Sequence, residues 1–185
     1  MTGQVIWITG LSGAGKTTVA AALDQCLRER GLMPILLDGD NLRNLFKSRN
    51  ETDKTYNREA RIKLALKYAH LCKTLSSQGF TVIIATISMF EEVYLWNHAN
   101  LQNYFEIYLK VPLTELRRRD PKKIYQRYDA GELENVAGLD LNVDEPLNPH
   151  VTLDFAKKSF VWRNPEVTVE YLISELEKVD YKITV

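Results

Sequence analysis

Gly10-Leu11-Ser12-Gly13-Ala14-Gly15-Lys16-Thr17-Thr18 decides the reading of this chain. It fits the spacing glycine, four residues, Gly-Lys-Ser/Thr, on Gly10, Gly15, Lys16 and Thr17. The apolar run Val5-Ile6-Trp7-Ile8 leads into it and an alanine-rich helical pattern follows, so the motif stands between a strand and a helix. A polyphosphate needs many converging donors, more than bulky side chains can supply. Glycines let backbone N–H groups turn inward into an anion nest, and the next helix points its positive end at the same spot. Lys16 would reach the β- and γ-phosphates of a nucleoside triphosphate, and the Thr17 hydroxyl would ligate Mg²⁺. A ligand-free glycine turn would not call for the lysine and threonine.

Outward from the loop, apolar spacing at Val19, Leu23, Cys26 and Leu27 predicts a helix over Val19–Arg30, ended by Gly31. Strands are expected at Met33–Leu37, Phe80–Ala85, Phe105–Val111 and Val151–Phe155. Helices are expected from about Asn57 to Ser77, with Ile62, Ala65, Leu66, Ala69 and Cys72 on one face, and from Glu91 to Ala99. Helical residues resume at Leu113, and Val169, Leu172, Ile173 and Leu176 mark a C-terminal helix. Strands alternating with helices specify an α/β fold: three layers, helix on sheet on helix, around a mostly parallel five-stranded sheet. Residues 47–56 read as a mobile polar loop. Residues 129–149 have no periodicity but carry Gly131, Gly138, Pro146 and Pro149, the mark of a functional lid.

The 185 residues suit one domain, 1–185. Hydrophobic residues make up 45%, and 24 Lys plus Arg balance 24 Asp plus Glu, so no global field draws the chain to nucleic acid or an anionic membrane. Any anion site must be local. Cys26 and Cys72 fall in helical patterns without metal or redox spacing, and read as small core residues in a reducing compartment. With no apolar run long enough to span a bilayer and a strand close behind Met1, the expected location is the cytoplasm.

A second constellation, Asp38-Gly39-Asp40-Asn41-Leu42-Arg43, closes the second strand. In open parallel sheets, ligands sit beyond the carboxyl ends of the strands, where Ser88 also falls after the third. Asp40 could hold Mg²⁺ through water or accept a proton from an attacking hydroxyl, and Arg43 suits bidentate grip of a second anion. Capping of a following helix by Asp38 or Asp40 is the plainer alternative.

With these two motifs in hand, the chain resembles the adenylyl-sulfate kinase family. The likeness continues in Arg119-Asp120-Pro121-Lys122-Lys123-Ile124-Tyr125 and Asp144-Glu145-Pro146-Leu147-Asn148-Pro149, and so covers nearly the whole chain in order. The resemblance implies a P-loop fold, ATP and Mg²⁺, and transfer of the γ-phosphate to the ribose 3′-hydroxyl of adenylyl sulfate in sulfate assimilation. It also implies a small nucleotide acceptor rather than a nucleic-acid polymer or membrane, and a homodimer. It makes Lys16 and Asp40 catalytic, with Thr17 and Asp40 at the metal. It assigns the loop from Gly10 to Thr18, with Arg119 and Lys122, to ATP. To the acceptor it assigns Asp38, Asp40, Arg43, Arg58, Arg61, Ser88, Lys122, Val136 and Leu139. Arg58 and Arg119 also read as solvated helix residues, and Ser88 as a helix cap.

The departures from the family pattern sit on the acceptor side. Arg61 stands where the family has an asparagine, and Val136 where its lid carries a phenylalanine against adenine. Proline after Ile87-Ser88 is lost, and so is the Gly-Phe-Ser that falls within 47–56. Phe46, Tyr56 or Phe90 could supply another aromatic face. The chain is similar also to members of the family that phosphorylate cytidine diphosphoramidate in surface-polysaccharide pathways, and a pyrimidine needs a smaller slot than adenine. A regulatory nucleotide switch lacks a water-positioning glutamine here. A shikimate-type small-molecule kinase would not call for Asp-Gly-Asp-Asn-Leu-Arg.

Overall fold

A computed structural model describes residues 3–46, 56–157 and 164–179. Apart from Tyr56, the polar stretch read as a loop at 47–56 lies outside them. Five parallel strands form one sheet in the order β2-β3-β1-β4-β5. They are β1 (Gln4–Thr9), β2 (Ile35–Asp38), β3 (Thr81–Ala85), β4 (Tyr104–Lys110) and β5 (Val151–Asp154). Seven α-helices complete the described residues: α1 (Lys16–Glu29), α2 (Gly39–Phe46), α3 (Arg58–Ser77), α4 (Glu91–Asn100), α5 (Leu113–Arg119), α6 (Ile124–Asp129) and α7 (Pro165–Lys178). None of the described helices is long and apolar enough to cross a membrane.

The central strand explains the layering. Every residue of β1 is buried, because β3 and β4 flank it and helices cover both faces. Alternation sends Ile6 and Ile8 into one core with Leu23 and Leu27 of α1 and Leu172 and Leu176 of α7. Val5 and Trp7 enter the other core with Leu64, Tyr68 and Cys72 of α3 and Val93 of α4. Each of these large side chains stabilises the fold by about 1.5–3 kcal/mol on burial. Asn57 caps α3 by accepting from the Ala60 N–H at 3.1 Å, and Asn164 with Pro165 starts α7.

Three sequence readings change. The buried face of α3 is centred on Leu64, Ala65, Tyr68, Ala69 and Cys72, while Ile62 and Leu66 are partly buried at its margin. Cys72 is fully buried and its thiol pKa is pushed up to about 12 by that burial, whereas Cys26 is half-buried. Two short helices, α2 and α6, occupy stretches without a readable period. From 130 to 150 the chain is irregular apart from a single bridge between Ala137 and Leu141.

Candidate active site

The ends of β1, β2 and β3 open onto one cavity of about 580 Å³. Its floor is the loop from Ser12 to Thr18. Gly10 leaves β1 at φ 148°, and a Cβ there would lie 2.7 Å from the Leu109 carbonyl oxygen of β4, so only glycine lets the chain turn this close to the sheet. The loop is braced from behind: the Tyr125 hydroxyl donates to the Ser12 carbonyl at 2.9 Å, and Ala14 is fully buried.

The Lys16 ammonium donates to the Leu11 carbonyl at 2.8 Å, folded across its own loop. Burial, and then the nearby charge of Lys122, lower its pKa to about 8 against the opposing pull of Asp40 and Asp38. One turn on, the Thr17 hydroxyl donates to Asp38 Oδ2 at 3.0 Å. The other oxygen, Asp38 Oδ1, accepts from the Asp40 N–H at 2.9 Å and the Asn41 N–H at 3.3 Å. Asp38 is thus at once the cap of α2 and the partner of the loop threonine; the two readings of this residue are compatible. That cap sets the direction of α2, which carries Asp40 and Arg43 onto the cavity wall. Asp40 forms an ion pair with Lys122, from the turn between α5 and α6.

On the acceptor side, the Arg43 guanidinium carbon lies 3.7 Å from the centroid of the Tyr56 ring, and that of Arg61 lies 4.2 Å from the same centroid. Both guanidiniums are within cation–π distance of that one ring. Arg61 also donates to the Tyr56 carbonyl at 3.2 Å and to the Asn135 carbonyl at 2.7 Å. Asp140 fixes that part of the irregular segment by accepting from the N–H groups of Asn135 at 2.7 Å and Val136 at 2.6 Å. Val136 lines the cavity and brings no ring.

Not every residue singled out by sequence reaches the cavity. Arg58 does not line it. It donates to Glu92 Oε1 at 3.0 Å and to Asp144 at 2.6 Å, tying the start of α3 to α4 and to the end of the irregular segment. Leu139 packs instead against the apolar core, and Gly10, Leu11 and Ala14 support the loop from outside the cavity wall. Ser88 is on the wall but caps nothing: its hydroxyl pairs with Thr86 at 2.7 Å, while Asp144 caps α4 at the Glu91 N–H, 3.0 Å away. Ser88 also holds φ at 29°, a strained value for a residue with a side chain. Arg119 lines the cavity while donating to Glu115 at 2.7 Å, its guanidinium 4.7 Å from the Phe155 ring. Of the rings singled out as possible aromatic faces, Tyr56 and Phe90 line the cavity, whereas Thr86, Arg127 and Asn135 are wall residues that the sequence reading missed.

Among the described wall residues, Lys16, Arg43, Arg61, Arg119, Lys122 and Arg127 face Asp38, Asp40 and Glu134, six cations against three carboxylates. In a chain of formal charge zero this excess is local and selects an anionic ligand. No group of three or more His, Cys, Asp or Glu side chains forms a protein-only metal cage among the described residues.

A family model described as adenylylsulphate kinase matches residues 2–154. The chain is 40% identical over 172 residues to a cytidine diphosphoramidate kinase of Campylobacter jejuni, covering 93% of this chain and 95% of that one. It is 38% identical to an adenylyl-sulfate kinase of Pseudomonas aeruginosa, over 94% of this chain and 85% of that one. The solved structure of the Mycobacterium tuberculosis APS kinase CysC in complex with AMPPNP and APS superimposes with a TM-score of 0.82 at 29% identity, covering 95% of this chain and 98% of that one. Phosphate loop, all-parallel sheet and sequence relatives agree, and the chain belongs to the adenylylsulphate kinase family of P-loop kinases, phosphotransferases with a hydroxyl acceptor.

Proposed function

We propose that this kinase moves the γ-phosphate of ATP onto the ribose 3′-hydroxyl of cytidine diphosphoramidate. The observation that carries the acceptor is the rebuilt wall: Val136 offers no ring, and the Tyr56 ring is engaged by two guanidiniums, 3.7 and 4.2 Å from its centroid. The 40% identity to a cytidine diphosphoramidate kinase supports the same choice. Adenylyl sulfate is the second reading, favoured by the family model and by the 38% identity to an adenylyl-sulfate kinase.

In this reading the loop amides and Lys16 hold the triphosphate. Thr17 and Asp38, 3.0 Å apart, with Asp40 on the same wall, are hydroxyl and carboxylate donors of the kind Mg²⁺ takes alongside phosphate oxygens and water. That ion, when bound, supplies neutralisation of phosphate charge. Asp40 leaves Lys122 and orients the acceptor hydroxyl, taking its proton as the oxygen–phosphorus bond forms and the bond to the β-phosphate oxygen breaks. Lys122 then turns to the phosphates. Arg43 grips the acceptor's own phosphate. The segment 129–149 covers the site, keeping water from the γ-phosphate.

The test is turnover with ATP, Mg²⁺ and each nucleotide in turn, with product mass determined. A product one phosphoryl group heavier, formed from cytidine diphosphoramidate at the higher kcat/KM, is expected. Preference for adenylyl sulfate moves the assignment to the second reading, and no transfer to either refutes both.

A further inference from the structure

We propose that the chain carries a second ligand site, separate from the phosphate loop, for a primary ammonium group on a short apolar body. The site is a cavity between α4, β4 and residues 144–148, with the buried Glu106 carboxylate on its inner wall. The inference goes beyond the kinase reading and does not depend on it.

The cavity holds about 280 Å³, near the lower end of the range for small-molecule sites. Helix α4 supplies one wall through Glu91, Tyr94 and His98, whose spacing puts them on one helical face. Asp144, Glu145 and Leu147 form the facing wall. Tyr94 ties the two walls together, its hydroxyl donating to the Asp144 carbonyl at 3.2 Å. Leu95 and Leu147 are 64% and 85% exposed, and they offer apolar surface where the cavity meets solvent.

Strand alternation puts Glu106 on the same face of β4 as Tyr104 and Tyr108, so a carboxylate stands where a core side chain is expected. It is 1% exposed. Its Oε1 has no hydrogen-bond partner among the described residues, and its Oε2 lies 3.4 Å from His98 Nε2. His98 is itself half-exposed and carries charge only when protonated. Burial raises the Glu106 pKa, and the opposing pull of His98 and of the Tyr104 hydroxyl offsets it only in part. A buried carboxylate with an empty acceptor position is costly, and a cationic occupant removes that cost.

The rest of the lining has the same sign. Glu91, Asp144 and Glu145 are carboxylates, and no lysine or arginine lines the cavity among the described residues. Arg58 engages Asp144 and Lys110 engages Glu145, both from outside the cavity. Glu106 on the inner wall and Glu91 at the edge are left to meet a ligand. A bare metal ion is a poor fit, because no three of the described carboxylate or imidazole groups gather into a cage. An ammonium brings three N–H donors, of which the open Glu106 oxygen takes one, while its apolar body lies against Leu95 and Leu147.

The probe is 2-phenylethylammonium, and 2-phenylethanol is its control, close in shape and without charge. Each is titrated into the wild-type chain while backbone amide shifts are followed by NMR. With the ammonium, saturable shifts confined to residues 91–98, 104–108 and 144–148 are expected, with a dissociation constant of about 1 mM or below. The alcohol is expected to bind at least about tenfold more weakly. Glu106→Gln, close in shape, is expected to weaken ammonium binding by about tenfold and to leave ATP affinity as in wild type. Shifts that do not saturate, or that fall outside these segments, overturn the proposal. So does equal binding of the alcohol. Unchanged ammonium affinity in Glu106→Gln also overturns it, and makes Glu106 a structural partner of His98. Should Glu106→Gln fail to fold, the comparison of ammonium with alcohol on the wild-type chain still decides.

Discussion

Raising the pH from about 7 to about 9 is expected to weaken ATP binding by about tenfold, because Lys16 loses its proton over that interval. The lowered pKa, about 8, belongs to the loop without phosphate, where burial and Lys122 both disfavour the charge. A bound triphosphate surrounds the ammonium with negative oxygens and raises the value, so the form that binds tightly is the protonated one. Affinity is therefore level below about pH 8 and declines above it, by up to tenfold, or about 1.4 kcal/mol, for each pH unit until the bound-state value is reached. From a midpoint of 8 the protonated fraction drops from roughly ten in eleven at pH 7 to roughly one in eleven at pH 9. Titration calorimetry with a non-hydrolysable ATP analogue, in two buffers of different ionisation enthalpy, reads the same event as uptake of about half a proton at pH 8. Lys122→Gln removes one of the two depressing influences and should move the midpoint upward. A flat affinity from pH 7 to 9.5, with uptake below about a tenth of a proton, would refute the placement of an enclosed, titrating lysine in the phosphate loop.

Asp40→Asn should lower kcat by about a hundredfold or more while changing the dissociation constant for ATP less than about threefold, as single-turnover and equilibrium measurements would separate. Arg58→Ala should leave the acceptor KM within about twofold, since Arg58 is engaged with Glu92 and Asp144 away from the cavity, but lower stability by about 1 kcal/mol in thermal unfolding. An acceptor KM raised tenfold would instead place Arg58 at the substrate. Gly138→Ala should destabilise by about 1–3 kcal/mol: φ is +82° there, and the new Cβ would come within 2.8 Å of Leu11 Cδ1, on the phosphate loop itself. A denaturation midpoint unchanged from wild type would count against that contact.

The phosphate loop was legible because its chemistry is local. Strand, glycines, lysine and threonine are contiguous, and the buried runs of β1, β3 and β4 announce a covered parallel sheet. Helix α2 was not legible, for its first turn is polar and Leu42 is its one buried residue. What starts it is the Asp38 carboxylate, which also looked like chemistry. With six residues, α6 is too short to show a period, and Asp120 organises it by accepting from the N–H groups of Ile124 and Gln126. The acceptor wall was hardest to read. Arg58 meets Asp144 across 86 positions, and Arg61 meets Asn135 across 74. No spacing rule connects such residues. The loss of aromatic side chains from this region could be read from the sequence, but the stacked arginines that stand in their place could not.

The phosphate loop grows directly out of β1, the central strand of the five, buried along its whole length. The amides of β1, bonded to β3 and β4 at the middle of the sheet, sit where hydrogen exchange demands the rarest openings of the molecule. Damage at the sheet margins, at β2 or β5, would therefore erode the rim of the cavity long before it loosened the cradle beneath. A weakened variant should keep its grip on nucleotide until it unfolds altogether.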